Sequence, residues 1–339
     1  MSGLNRVWTL ATRPQGRVAV DDFALVTDPL DLGELAEGQI RVRNRFFAVA
    51  PTIRNWLNPP ERAYRGSIPI GGAIMGMAGA EVLQSRHPDY SPGDRMVALS
   101  RWEEISILSP DQAAVPPFAV PPSMTFEEAM GALSPNSLTA YFGLIEIGRP
   151  KPGETVVVSA AAGSVGSVVC QIARILGCHV VAIAGGADKC DWLETVCGVD
   201  ATIDYKAEDV AARLKALCPD RIHIYFDNVG GEIMQAAVDH IAPRGRIVLC
   251  GQISAYDTGE PAAGPRDMMK LVYGRVRMEG FVIGDFIDQV EEARARIRTW
   301  IAAGELVVRT DVRKGFETLP SALADLFSGR NQGALLVEA

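Results

Sequence analysis

The strongest constraint on this chain is a regular alternation of short apolar runs and helix-forming stretches between residues 155 and 250. Residues 155–160 are apolar and β-branched and read as a strand. Residues 164–176 read as a helix closed by Gly177, a residue suited to the left-handed position that ends a helix. A strand over 180–184, a helix over 189–196 ending near Gly198, a strand over 201–204 and a helix over 208–217 follow. The series then runs through a strand over 222–226, a helix over 233–241 and a strand over 246–250. Strands and helices at this spacing require a parallel sheet covered on both faces. A strand over 278–283 and a long helix over 287–303 add a sixth unit, which completes the pattern of a doubly wound dinucleotide fold.

The flanks differ. Residues 39–48 and 95–99 alternate or run apolar between turn signals such as Ser91-Pro-Gly-Asp94, so the first 125 residues read as β-rich. Thr125-Phe-Glu-Glu128 reads as a capped helix start, with Thr125 as the cap and Glu128 three residues on. After the sixth unit, 307–312 and 334–337 read as strands with a helix over about 320–327 between them. The tail is therefore expected to return to the first domain. This gives a β-rich domain of residues 1–125 and 306–339, with a nucleotide domain of 126–305 inserted into it. The cleft between them is the expected active site. A length of 339 residues suits two such cores.

Charge and cysteine placement narrow the function. With 33 basic and 41 acidic side chains the net charge is −8, which disfavours sequence-independent nucleic-acid binding but not a small anion in a local basic pocket. The apolar runs fall short of a membrane span, and the first 15 residues lack the pattern of a secretory signal. The six cysteines all lie between 170 and 250, with no CxxC pair, and the four histidines are scattered. Reduced thiols packed in a cytoplasmic core, and no metal site, are the expectation.

The first strand of the series runs into Ser159-Ala-Ala-Ala-Gly163-Ser-Val-Gly166-Ser. Set against the G-x-G-x-x-G fingerprint, the three positions are Ala161, Gly163 and Gly166, so the first glycine is missing. Gly163 lets backbone approach a pyrophosphate, Gly166 lets helix and strand pack closely, and the N-terminus of the helix offers free N–H groups to the phosphates. The turn residues Ala161, Gly163, Ser164, Val165 and Gly166 are therefore candidate cofactor ligands. The second strand ends at Ala184-Gly185-Gly186 without a carboxylate, and Lys189 follows. A cation and no acid at this point favour the 2′-phosphate of NADPH over the bare ribose of NADH. Asp188 keeps the alternative open, because a carboxylate turned inward here binds ribose.

Six ordered motifs then carry a family resemblance: Leu138-Thr-Ala-Tyr-Phe-Gly143, Val157 to Gly166, Ala184-Gly-Gly-Ala-Asp-Lys-Cys190, Ile203-Asp-Tyr-Lys206, Tyr225-Phe-Asp-Asn-Val-Gly-Gly231 and Gly251-Gln-Ile-Ser-Ala-Tyr256. Together they resemble the zinc-independent medium-chain dehydrogenase/reductases, in the prostaglandin reductase and alkenal double-bond reductase branch. The resemblance spans nearly the whole chain. It is strong from about 138 to 284 and at Arg330-Asn-Gln-Gly333, and weaker before 125. It implies an α/β fold with a GroES-like β-rich catalytic domain and a doubly wound Rossmann domain. It also implies a homodimer. By position, Gly185, Lys189 and Tyr205 match the 2′-phosphate end of the cofactor site, and Asn228 matches the asparagine beside the nicotinamide ribose. Cys250 and Gly251 match the cofactor-lining residues after the fifth strand, and Phe281, Val282 and Ile283 the stretch against the nicotinamide. Asn331 matches a C-terminal asparagine that reaches the cofactor, and Tyr256 a tyrosine near the substrate carbonyl.

There are departures. Relatives carry an Asp-Pro-Tyr-Met-Arg-Gly run where this chain has Ala50-Pro-Thr-Ile-Arg54-Asn55, and Ser134-Pro-Asn-Ser137 replaces a glycine-containing turn. Arg54 and Asn55 are candidate pocket residues, so the pocket is expected to differ from that of relatives. Trp56, Leu57 and Tyr273 fit either the pocket or a core or dimer contact. The Gly-His-Glu motif of zinc alcohol dehydrogenases is absent; the corresponding segment reads Pro69-Ile-Gly-Gly-Ala-Ile-Met-Gly76.

The implied chemistry is NADPH-dependent reduction of the C=C bond of an α,β-unsaturated ketone or aldehyde, with no zinc. Hydride reaches the β-carbon, and Tyr256 and the ribose hydroxyl are the candidates to stabilise the enolate oxygen. Quinone reduction and a non-catalytic NADPH-binding sensor are the alternatives.

Overall fold

The computed structural model describes residues 4–29, 33–63, 66–113, 115–256 and 263–339. Two units emerge, Met1–Met130 with Thr310–Ala339, and Gly131–Arg309. In chain order the first contains β1 (Leu4–Leu10), β2 (Phe23–Pro29), β3 (Ile40–Val49), the short helix α1 (Thr52–Trp56), β4 (Met75–Ser85), β5 (Arg95–Arg101), β6 (Ile105–Leu108) and β7 (Phe118–Ala119). Helix α2 (Phe126–Ala132) follows. The second holds α3 (Pro135–Phe142), β8 (Thr155–Val158), α4 (Gly166–Ile175), β9 (His179–Ala184), α5 (Ala187–Thr195), β10 (Ala201–Asp204), α6 (Val210–Leu217), β11 (Ile222–Asp227) and α7 (Gly231–Asp239). It continues through β12 (Ile241–Leu249), α8 (Ile253–Tyr256), α9 (Met269–Gly274), β13 (Arg277–Gly280) and α10 (Val290–Ala302). The tail supplies β14 (Thr310–Lys314), α11 (Leu319–Phe327) and β15 (Ala334–Glu338).

In the first unit the alternation of buried and half-buried residues along β3 is what sheet formation with one covered face demands. A bulge between Asn44 and Phe46 resets the period, so that Ile40 and Val42 face one cluster while Phe47 and Val49 face another. The sheet order is β14-β15-β3-β4-β5-β7, with β6 also on β3; β1 and β2 form a separate antiparallel pair. Strand β15 lies antiparallel to β3, and β14 parallel to β15, so the tail does return to the β-rich unit. Its core gathers Phe47, Ile53, Leu57, Trp102, Phe316 and Leu323. Leu57 is thus a core residue, with Trp56 packed against the same cluster. The capping box forms as read: the Glu128 N–H donates to Thr125 Oγ1 (3.1 Å) and the Thr125 N–H to Glu128 Oε2 (2.7 Å).

The second unit is the doubly wound fold. Its six strands are parallel in the order β10-β9-β8-β11-β12-β13. Strand β8 is buried along its whole length, as strands covered on both faces must be. Several boundaries differ from expectation: β12 begins at Ile241 and not at 246, and two further differences have a visible reason. The strand expected from 307 begins at Thr310, because the buried amide of Gln171 on α4 takes both backbone groups of Val307. Gln171 Oε1 accepts from the Val307 N–H (2.8 Å), and Nε2 donates to its carbonyl (2.9 Å). Strand β13 stops at Gly280 because the Val282 N–H donates to Asp285 Oδ2 (3.2 Å) and opens a 3₁₀ turn, Ile283–Gln289, ahead of α10. Among the described residues no helix is long and apolar enough to cross a membrane.

Candidate dinucleotide and active site

Chain order reverses between β8 and β11, the place where a doubly wound sheet opens a crevice at the carboxyl ends of its strands. The turn after β8 is tight. Ala160 adopts the left-handed conformation (φ 47°), the Gly163 N–H returns to the Ala160 carbonyl (3.0 Å), and the Ala161 N–H reaches Ile183 of β9 (3.0 Å). The left-handed residue is therefore Ala160, one place before the position aligned with the missing glycine, and Ala161 is wholly buried. A methyl group on Gly166 would lie 2.5 Å from the Ala160 carbonyl oxygen and 2.7 Å from Ala161 Cα, so only glycine lets α4 begin this close to the strand. One on Gly163 would meet the same oxygen at 3.2 Å. Val165 precedes α4 and its carbonyl accepts from Val168 and Val169, while Ser164 Oγ is bonded to Asn136 Nδ2 (3.0 Å). The free N–H groups and partial positive charge at the start of α4 thus face a glycine cradle, which suits a pyrophosphate.

At the end of β9, a methyl group on Gly185 would lie 2.7 Å from a Tyr205 ring carbon and 2.9 Å from Lys206 Cε. The adjoining Gly186 is left-handed (φ 104°) and its N–H donates to Asp204 Oδ1 (2.9 Å). The same oxygen accepts from the Lys206 N–H (3.0 Å). Asp204 is therefore the staple that sets this turn. Lys189 is half-buried in the first turn of α5, Asp188 beside it is exposed, and Tyr205 presents 47% of its surface. Tyr205 and Lys206 lie against Gly185, and Lys189 stands four residues after Gly185 in sequence.

The ends of β8, β11 and β12 meet around Asn228. Its N–H donates to Ser159 Oγ (2.9 Å), its Nδ2 to the Ser159 carbonyl (2.7 Å), and its own carbonyl accepts from Ile253 (3.2 Å). A methyl group on Gly251 would stand 3.6 Å from the Asn228 carbonyl oxygen and 3.6 Å from Tyr256 Oη, so Asn228, Gly251 and Tyr256 converge. Beneath them Asp227 is fully buried. Burial drives its carboxyl above the usual aspartate range, outweighing the hydrogen bonds from Gly230, Val229, Tyr225 and Ser159 that favour the ionised form. Desolvation, aided by the nearby Asp227, pushes the Cys250 thiol to about 12. Because Leu249 pairs with Gly280, residues Phe281, Val282 and Ile283 leave the sheet at the same end as Cys250 and Gly251. The Phe281 ring packs against Gly143 and Phe226, where a methyl on Gly143 would be 2.5 Å from it.

The remaining candidates lie elsewhere. Tyr273 is 76% exposed on α9. Arg54, Asn55 and Asn331 belong to the first unit. Arg54 is buried, with Nη1 on Asn58 Oδ1 (2.5 Å) and Nη2 on the Gly16 carbonyl (3.2 Å); Asn55 is half-buried on α1. Asn331 is buried, with Nδ2 donating to the Gly333 carbonyl (2.9 Å). Ser159, Asp227, Asp204 and Asn136 were not singled out from the sequence. For Asp227 a signal existed: it is an acid directly after the apolar run of β11. Among the described residues, no group of three or more His, Cys, Asp or Glu side chains is arranged to hold a metal ion.

Residues 164–299 match the family described as zinc-binding dehydrogenase, and residues 6–115 the family described as N-terminal domain of oxidoreductase. The chain is 35% identical to the NADPH-dependent curcumin reductase of Escherichia coli (strain K12), over 98% of this chain and 96% of that protein. It is 39% identical to the 2-alkenal reductase (NADP(+)-dependent) of Nicotiana tabacum, over 87% and 86%. The structure of CurA in complex with NADPH from Vibrio vulnificus superposes with a TM-score of 0.89 at 32% identity, covering 98% of this chain and 99% of that one.

Proposed function

Because this chain belongs to the medium-chain dehydrogenase/reductase superfamily, in its NADP-dependent reductase branch, we propose that it reduces the C=C bond of α,β-unsaturated ketones or aldehydes with NADPH and without zinc. The observation that carries this reading is the convergence of a glycine-lined helix N-terminus, Asn228, Gly251 and Tyr256 at one end of the parallel sheet. The residues fit the cofactor: Gly166 lets α4 start close to the turn after β8, and Tyr205 and Lys206 against Gly185, with Lys189 in the first turn of α5, supply hydrogen-bonding and basic groups for the 2′-phosphate. The sequence also lacks the Gly-His-Glu motif and any cysteine before residue 170, which supports zinc-free chemistry.

When bound, NADPH supplies the hydride for the substrate's β-carbon. Asn228, with one amide N–H on the Ser159 carbonyl, would hold the nicotinamide ribose through its amide oxygen. The Tyr256 hydroxyl donates to the substrate carbonyl, where negative charge gathers as the enolate forms. The α-carbon then takes a proton from Tyr256 or water. The segment Phe281–Ile283 lines the nicotinamide end.

The deciding experiment follows NADPH absorbance with purified protein over a panel of enones, enals and quinones, with NADH alongside. The expected outcome is NADPH loss on enones with saturated ketone as product, and a drop in kcat of about a hundredfold for Tyr256→Phe, the size of a lost oxyanion donor. Turnover of quinones alone would move the function to quinone reduction. NADPH binding without turnover of any acceptor would defeat the reductase reading.

We also infer a homodimer in a reducing, cytoplasmic compartment. The six cysteines are free, β13 is an edge strand, and Met268, Met269, Val272 and Tyr273 lie exposed next to it in sequence. Sedimentation at micromolar protein tests this: a single species of 36.4 kDa would overturn it.

A further inference from the structure

Four donors converge on one oxygen of the buried Asp227 carboxyl. They are the Tyr225 hydroxyl (2.8 Å), Ser159 Oγ (3.2 Å) and the N–H groups of Val229 (3.0 Å) and Gly230 (2.9 Å). The other oxygen, Oδ2, has no partner among the described residues. The backbone carbonyl of Asp227 also accepts from Cys250 (2.9 Å) and Gly251 (3.1 Å). One residue thus ties together the ends of β8, β11 and β12. Burying a carboxyl this completely is costly unless its bonds fix something of value.

What they fix is the position of the Asn228 backbone at the end of β11. A serine hydroxyl has a single proton. Ser159 directs it to Asp227 Oδ1 (3.2 Å), with the Phe226 carbonyl as a longer second acceptor (3.4 Å), and its oxygen accepts from the Asn228 N–H (2.9 Å). The Ser159 carbonyl can only accept, so the Asn228 side chain must present its nitrogen there. The amide oxygen and the second N–H of the amide are then the groups left to a ligand.

We propose that Asp227 is a positioning residue for the reaction, acting through the Ser159 hydroxyl to hold the Asn228 backbone in place, so that the side chain, bonded to the Ser159 carbonyl, keeps its amide oxygen toward the nicotinamide ribose. This rests on the reading of Asn228 as a ribose ligand, and the test separates the two.

NADPH dissociation constants, steady-state constants and thermal midpoints are measured on the full-length protein and on Ser159→Ala, Asn228→Ala, their combination, Asp227→Asn and Asp227→Ala. Asn228→Ala and Ser159→Ala are each expected to weaken NADPH binding about tenfold, while the double variant is no weaker than about the worse single one, because the two act as one unit. The KM for NADPH rises and that for the enone does not. Asp227→Asn keeps an acceptor where the four donors meet and binds NADPH within about threefold of the parent; Asp227→Ala falls at least as far as Ser159→Ala. Should Asp227→Ala fail to fold, the Ser159 and Asn228 cycle and Asp227→Asn still decide. Multiplying losses of about a hundredfold in the double variant would overturn the inference. So would a Ser159→Ala protein that melts lower yet binds NADPH normally. An Asn228→Ala protein with unchanged NADPH affinity would instead sink the ribose reading, and the inference with it.

Discussion

Ala160 carries a backbone conformation that an L-residue other than glycine adopts at a cost. Its φ of 47° lies in the left-handed region, where a Cβ crowds the neighbouring carbonyl by about 1 kcal/mol or more. The turn demands this geometry because Ser159 is tied to Phe226 on one side, and Ala161 is tied to Ile183 on the other. Strain of this kind persists only where the surroundings impose it. Replacing Ala160 with glycine removes the crowding but frees the unfolded chain, so the two effects partly oppose. The net expectation for Ala160→Gly is a gain of about 0.5–1 kcal/mol, seen as a higher urea midpoint with an unchanged m-value. A lower midpoint would mean that the turn tolerates the methyl group without strain.

At the level of elements, the parallel sheet was legible because strands buried on both faces are apolar throughout, as β8 is, and because Gly177 marks the end of the helix between β8 and β9. The glycine turn was legible too, since Gly163 and Gly166 stand at a fixed distance from the strand that precedes them. The left-handed conformation of Ala160 was not legible, because a spacing rule does not register backbone conformation. Elements that depend on distant partners were hidden. Gln171 holds Val307 from 136 residues away and delays the tail strand to Thr310. Asp285 ends β13 early by capping Val282 locally, a signal weaker than the apolar run it interrupts. In the candidate site the same division holds. Asn228 stands out in its motif, but the Ser159 and Asp227 bond that orients it spans 68 residues and exists only once β8 and β11 lie side by side.

For the whole molecule, the placement of the cysteines offers a probe of one unit alone. All six fall between residues 170 and 250, inside the Gly131–Arg309 unit, and the other unit has none. Burial raises every one of them. Cys178 and Cys218 are pushed to about 11, Cys197 and Cys250 to about 12, Cys170 well above its ordinary value, and Cys190 upward. The thiolate is the nucleophile, so reactivity follows ionisation. At pH 8 a thiol of pKa 12 is ionised to roughly one part in 10⁴, against about a quarter for a free cysteine. Raising the pH therefore speeds alkylation of the unfolded chain only to about 8.5, whereas native thiols gain ionisation up to 11 or 12. Iodoacetamide at pH 8 is expected to modify none of the five buried thiols within minutes in the folded protein, to modify the half-buried Cys250 slowly because of its raised pKa, and to modify all six after denaturation, as read by mass spectrometry. Slow labelling of the buried five then reports opening of this unit, and a ligand bound to it suppresses that opening by mass action. NADPH at about one hundred times its dissociation constant should slow labelling about a hundredfold. Rapid labelling of any of the five thiols other than Cys250 would contradict its burial. Labelling that ignores NADPH would mean that the cofactor does not stabilise the unit in which its proposed cradle lies.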